Sequence, residues 1–429
     1  MISVLLHWIC VQKTAINTNA HARLQVLEDM PDLNRTSRGR DAVAGRLARL
    51  VPRGVPTRLA LFYIASFAAA GMVMPFWPVW LSARGLGAVE IGILVSMPSW
   101  SKIAGNWLSA HLADRAGNVR AVLIGLALAS LLSYSLFNFA HGFWPILAVT
   151  LLSGLATTSV NPMADALTTK LAHVNHFQYG RVRLWGSLAF MVAGIFGGWF
   201  LVDRSPDWIL YLILLSLVGL TAMAFLLPSD RGAGPGAISS AVISLLRDRG
   251  IRLVLLASAL IQASHAVFYG FGSLHWLAAG YGEDTVGLLW AVAVVVEVLL
   301  FMMGASLVAR IGAERLLAVA AAAGVLRWLL TGFFASLPVL VFAQSLHALT
   351  FAAAHLATVH YLVRHVPPGL AATAQGPYGA VAWGAAFGLT MPLAGLLYAA
   401  DPRAAFTGMA AMCAAAIAVA LKLQKRNMP

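Results

Sequence analysis

The chain has 429 residues, 60% of them hydrophobic and only 10% charged, where a soluble domain carries about 25% charged residues. That excludes an ordinary soluble globular protein, and continuous apolar runs exclude the alternating pattern of a membrane barrel. The net charge of +13 would suit a nucleic-acid binder, but its distribution does not: the cations cluster between the apolar runs.

Residues 1–57 are polar, Arg-rich and without sustained periodicity, and are expected to form a disordered basic tail. The opening run "MISVLLHWICV" has no preceding basic residue and no small-residue cleavage site, so it does not read as a signal peptide. Twelve apolar segments follow: 58–83, 88–113, 119–140, 143–168, 179–203, 207–228, 250–280, 284–309, 313–335, 337–364, 371–399 and 403–423. Each is close to the roughly 20 residues that cross a ~30 Å hydrocarbon core as a helix.

In the first six, span one offers Tyr63 and Trp77 as aromatic contacts beside the kink-forming Pro75 and Pro78. Trp77 reads more readily as an interfacial anchor. Span two carries Lys102 at mid-depth, a candidate partner for an anionic substrate. Asp114 and Arg115 close span two, Asp165 closes span four, and Arg181 and Arg183 open span five. Their place near one membrane surface suggests a gate ion network rather than substrate contact.

The Gly- and Pro-bearing stretch 229–249 reads as a linker between bundles at 58–228 and 250–424. In span seven, Gln262, His265, Tyr269 and Trp276 recur at helical spacing and share one face. Span eight places Glu297 in the middle of "LLWAVAVVVEVLLFMMG". A carboxylate at that depth costs roughly 2.5–3.5 kcal/mol on insertion scales and marks a functional position. Arg327 lies at similar depth in span nine, and span ten adds His347 and His355. These four are the expected proton-coupling set: burial favours a neutral carboxyl, and a nearby Arg favours an ionised one. The competing reading is a structural Glu297–Arg327 ion pair, and each histidine alone reads more readily as a hydrogen-bonded helix contact.

With both termini in the cytoplasm, 24 of the 29 Lys and Arg fall on the inner side and three (Arg84, Arg204 and Arg403) on the outer. That asymmetry predicts a multi-pass protein of the bacterial inner membrane with cytoplasmic termini. Cys10 and Cys413 are the only cysteines, so no disulfide framework or Cys-based metal site is implied. No cofactor is expected, the partners being protons, a small-molecule substrate and lipid, and the expected state is a monomer. His-Glu-x-x-His, Gly-x-Ser-x-Gly and nucleotide-binding loops are all missing, which argues against an enzyme and against ATP-driven transport.

The two halves repeat. At an offset of 195, Gly85, Gly87, Gly92, Arg115, Gly117 and Arg120 meet Gly280, Gly282, Gly287, Arg310, Gly312 and Arg315, and Lys102 meets Glu297. Parallel six-helix repeats describe the major facilitator architecture, with substrate held between the halves at mid-membrane. "AHLADRAGNVR" (110–120) resembles that superfamily's loop signature at Asp114, Arg115 and Gly117, although Ala110 replaces the usual glycine. More narrowly, "PFWPVWL" (75–81), "QYGRVRLWGSLAF" (178–190), "HAVFYGFGSLHWLAAGY" (265–281), "VVVEVLLF" (294–301), "GVLRWLL" (324–330) and "HLATVHYLVRH" (355–365) resemble the phenylpropionate permease family. The resemblance implies an all-α proton symporter importing an aromatic monocarboxylate such as 3-phenylpropionate. A drug or metabolite antiporter and a sugar or nucleoside symporter are alternatives in the same fold.

Overall fold

The structure is a computed structural model that describes residues 54–228, 247–366 and 371–427. The expected basic tail, up to residue 53, and most of the 229–249 linker lie outside the described residues.

The described residues form twelve long helical segments and no strand. In the first half these are α1 (Val55–Ala83), α2 (Ala88–Ala116), α3 (Val119–Ser135), α4 (Phe143–Val174), α5 (Tyr179–Leu201) and α6 (Asp207–Leu226). In the second half α7 (Arg249–Ala278) is followed by α8 (Glu283–Ile311), α9 (Ala313–Phe333), α10 (Leu337–His365), α11 (371–400) and α12 (Pro402–Asn427). Eleven are apolar and long enough to cross a membrane. The exception is α2, which has the length but spends it on Lys102, Asn106, His111 and several serines.

Successive helices run in opposite directions, so residues 54, 227, 247 and 427 share one face of the bundle, here the terminus face. The short connections 84–87, 202–206 and 279–282 lie on the far face. An Arg84–Asp207 ion pair of 2.7 Å ties α1 to α6 there. On the terminus face Arg426 pairs with Asp248 at 3.1 Å, and its hydrogen bond holds the Asp248 carboxyl below the ordinary carboxylate range.

The glycine repeat has a physical meaning. Gly85 and Gly280 both follow a helix at positive φ (80° and 91°), a conformation that disfavours a Cβ. Gly92 of α2 lies against the Met391 carbonyl of α11, and Gly287 of α8 lies against the Gly194 carbonyl of α5. These are equivalent crossings related by the six-helix repeat, and in both, one half meets the other backbone to backbone.

The halves meet chiefly on their far side: α5 on α8, α2 on α11, and the far segment of α7 on α1. The terminus-side segments Arg249–Ala263 of α7 and Ala354–His365 of α10 take their main packing partners from their own half. The cleft between the halves is therefore closed on the far face and open towards the terminus face.

Three second-half helices are irregular at similar depth. Helix α7 breaks at Ser264–His265, α10 carries a π-helical turn at Ala348–Ala353, and α11 another at Gly379–Ala386. Such turns widen the spiral and re-aim side chains, often at functional sites.

Candidate functional site: an aromatic cleft with a buried acid

A cleft partly open to solvent lies between the halves. Met74 from α1 with Ser187 and Phe190 from α5 form one wall. Phe268, Tyr269, Trp290, Ala293, Val294 and Phe351 form the other. Its ionisable members besides Tyr269 are Glu297 and His347. Trp290, Val294 and Glu297 sit three and four residues apart, so α8 presents the ring and the acid on one face.

Behind this surface lies a directional hydrogen-bond chain. Arg327 donates from one terminal nitrogen to His347 Nδ1 (2.9 Å) and Thr350 Oγ1 (3.1 Å), and from the other to Gln344 Oε1 (2.8 Å). Its guanidinium also lies 4.8 Å above the Phe268 ring and 4.4 Å above that of Trp328. Arginine has no acceptor, so His347 Nδ1 must accept, and the neutral ring carries its proton on Nε2. That Nε2 stands 3.4 Å from Glu297 Oε2. On the other branch His265 Nδ1 donates to the Ile261 carbonyl (3.0 Å), leaving Nε2 to accept from Thr350 Oγ1 (3.1 Å). The same Nδ1 bond bridges the break in α7, which contains neither glycine nor proline.

The sequence reading brings Arg327 directly against Glu297. The structure corrects this: no Glu297–Arg327 ion pair occurs among the described residues, and His347 stands between them. The π turn that begins after His347 accounts for the difference, because it turns His347, Thr350 and Phe351 towards the interior together. Glu297 is 3% exposed, and its Oε1 has no hydrogen-bond partner.

Of the other expected site residues, Tyr269 lines the cleft, while His265 supports it from behind. Gln262 donates to the Phe351 carbonyl (3.3 Å), and His355 lies beside the Tyr378 hydroxyl (3.1 Å). His355 is eight residues past His347, about 12 Å along the helix, and outside the Glu297 chain. Lys102 is exposed, shares its helix face with Asn106 and pairs with no carboxylate among the described residues.

Tyr63 and Trp77 are packed away from the cleft. The Tyr63 hydroxyl donates to Asp165 (2.6 Å), and Trp77 stacks on Trp80 at 4.5 Å beside Phe137 and Tyr134. The five residues expected to form one surface network differ in burial. Asp165 and Arg183 form a pair of 3.3 Å inside the first half, with Tyr179 also donating to Asp165 (2.8 Å) and Arg183 lying 3.9 Å over Phe67. Arg183 is 2% exposed, whereas Asp114, Arg115 and Arg181 are exposed. Sequence reasoning missed Ser187, Phe190, Phe268, Trp290, Thr350 and Phe351. Only Trp290 had a visible signal, its helical spacing from Glu297.

The family model described as "MFS_1 like family" matches residues 56–407. The "Probable 3-phenylpropionic acid transporter" of Escherichia coli (strain K12) is 32% identical over 79% of this chain and 90% of its own length. The "Maltose permease" of Geobacillus stearothermophilus is 29% identical over 76% of this chain and 83% of its own. Among solved structures, the nucleoside transporter NupG superimposes with TM-score 0.78 at 14% identity, covering 88% of this chain and 100% of that one. A bacterial homologue of the lysosomal transporter Spinster, inward-facing and unoccupied, gives TM-score 0.70 at 14% identity, covering 86% and 96%.

Proposed function

Because this chain belongs to the MFS_1 like family of major facilitator transporters, and is therefore a membrane carrier rather than an enzyme, we propose that it is a proton-coupled symporter importing an aromatic monocarboxylate such as 3-phenylpropionate. The observation that carries this reading is the cleft's composition. Five aromatic rings (Phe190, Phe268, Tyr269, Trp290 and Phe351) surround one buried acid and its histidine. A phenyl group gains from edge and face contacts with such walls.

In the proposed cycle Glu297 takes up a proton when the cleft faces outwards, and the cleft then admits the substrate. His347 holds Glu297 in place, and Arg327, through Nδ1, fixes which ring nitrogen faces the acid. The loaded, neutral cleft closes, the halves rock, and the terminus face opens. There substrate leaves and Glu297 releases its proton to the basic, cytoplasmic side. Asp114, Arg115 and Arg181 act in rocking rather than recognition, and the buried Asp165–Arg183 pair braces the first half as it rocks. With both termini in the cytoplasm, the arrangement described above is the inward-facing one.

A sugar reading, prompted by the maltose permease relative, fits the cleft less well. A sugar needs many hydrogen-bonding partners, and the lining supplies few. The test is uptake of labelled 3-phenylpropionate into proteoliposomes with the pH gradient imposed, abolished or reversed. Accumulation that follows the gradient supports symport. Uptake indifferent to it contradicts proton coupling, and maltose uptake in its place would favour the sugar reading.

A further inference from the structure

Most hydroxyls in the spans bond back to their own helix. Ser130, Thr150, Thr157, Ser216, Thr221 and Thr358 each donate to the carbonyl four residues earlier, at 2.7–2.9 Å. Ser187 of α5 is an exception. It is 2% exposed, its Oγ has no hydrogen-bond partner, and it lines the cleft. A buried hydroxyl left unpartnered gives up its hydrogen bond to water with nothing in return, so its orientation towards the cleft calls for a reason.

Across the cleft Glu297 Oε1 is in the same condition: buried, without a partner, and on the lining. The two atoms lie at similar depth. Ser187 is seven residues from Gly194 and Glu297 ten from Gly287, both towards the terminus face, and Gly194 and Gly287 touch. At 1.5 Å per residue these are about 10 and 15 Å from one crossing point, less than a helical turn apart in depth. The lining of the first half otherwise consists of Met74 and Phe190, so Ser187 is the polar side chain that half contributes.

We infer that Ser187 Oγ and Glu297 Oε1 together form the seat of the substrate carboxylate, which bridges the two halves. This rests on the reading of the substrate as an aromatic monocarboxylate. Glu297, protonated on Oε1, donates to one substrate oxygen, and Ser187 donates to the substrate carboxylate from the opposite wall. Oε2 stays towards His347 Nε2–H. The groups around Glu297 leave no other charged donor on the cleft surface. Tyr269 comes from α7, His347 from α10 spends Nδ1 on Arg327, Arg327 of α9 stays behind His347, and α5 contributes no charge. A deprotonated Glu297 would repel the carboxylate, so substrate and proton enter together. When the substrate leaves, the proton is the only thing bound at Oε1 and departs to water.

The experiment is equilibrium binding of 3-phenylpropionate to purified wild type, Ser187→Ala, Ser187→Thr and Glu297→Gln, with propylbenzene as a competitor that keeps ring and chain but lacks the carboxyl. A hydrogen bond to a charged group is commonly worth tenfold or more in affinity. The expected result is about tenfold weaker acid binding in Ser187→Ala, restored by Ser187→Thr, with propylbenzene competition unchanged. Glu297→Gln keeps a donor, so its acid binding should persist and lose the pH dependence seen in wild type. Equal acid affinity in wild type and Ser187→Ala overturns this inference alone. Weakening of acid and propylbenzene alike makes Ser187 a packing residue and also overturns it. Wild type that does not bind 3-phenylpropionate overturns the proposed substrate, and the carboxylate seat with it.

Discussion

Arg327 keeps three side-chain acceptors and two ring faces whatever the state of Glu297. Its charge is therefore held by the second half itself and does not depend on an ion pair with Glu297. At this scale the sequence made the charges legible, because an acid and a guanidinium stand out in apolar runs. The order of contact was not legible: His347 reaches its place through a π turn that no local residue announces. Ser187 gave no signal, since a serine in a span usually bonds its own helix. The Asp165–Arg183 pair was visible as charges but not as a buried pair. Removing one partner of a buried pair typically costs about 3–5 kcal/mol. Arg183→Gln should therefore lower the thermal midpoint of the purified protein by several degrees. An Arg183→Gln protein of unchanged midpoint that still transports slowly would make this pair a moving gate instead of a brace.

Among the helices, the glycine repeat was the most informative sequence signal, and its meaning is steric. Gly92 and Gly287 are the points where one half lies on the other's backbone. The irregularities of α7, α10 and α11 were not legible: the α7 break has neither glycine nor proline, and π turns have no fixed sequence pattern. A Gly287→Val change would drive its side chain into the Gly194 carbonyl, and overpacking of this kind costs typically about 1–3 kcal/mol. The penalty falls only on conformations closed at the far face. A cysteine placed at Met74 should then react about tenfold faster with an impermeant thiol reagent applied to the far face, as the population shifts. Unchanged reactivity would mean that the α5–α8 crossing does not hold that face shut.

For the whole molecule, twelve spans in two repeated halves followed from hydropathy and the repeat alone. The conformation did not, because residue identities near the surfaces fit the open and the closed state equally. The central claim is that Glu297 carries the coupled proton. Since Arg327 has three side-chain acceptors without it, Glu297→Gln should fold and purify like wild type, unlike the disruption of a simple buried ion pair. The most direct measurement compares two modes of transport in proteoliposomes containing Glu297→Gln. The account predicts that uphill accumulation of 3-phenylpropionate driven by a pH gradient is lost while exchange of labelled for unlabelled substrate continues. Accumulation against the gradient by well-folded Glu297→Gln would contradict it and move the proton site elsewhere, with His355 the next residue to examine.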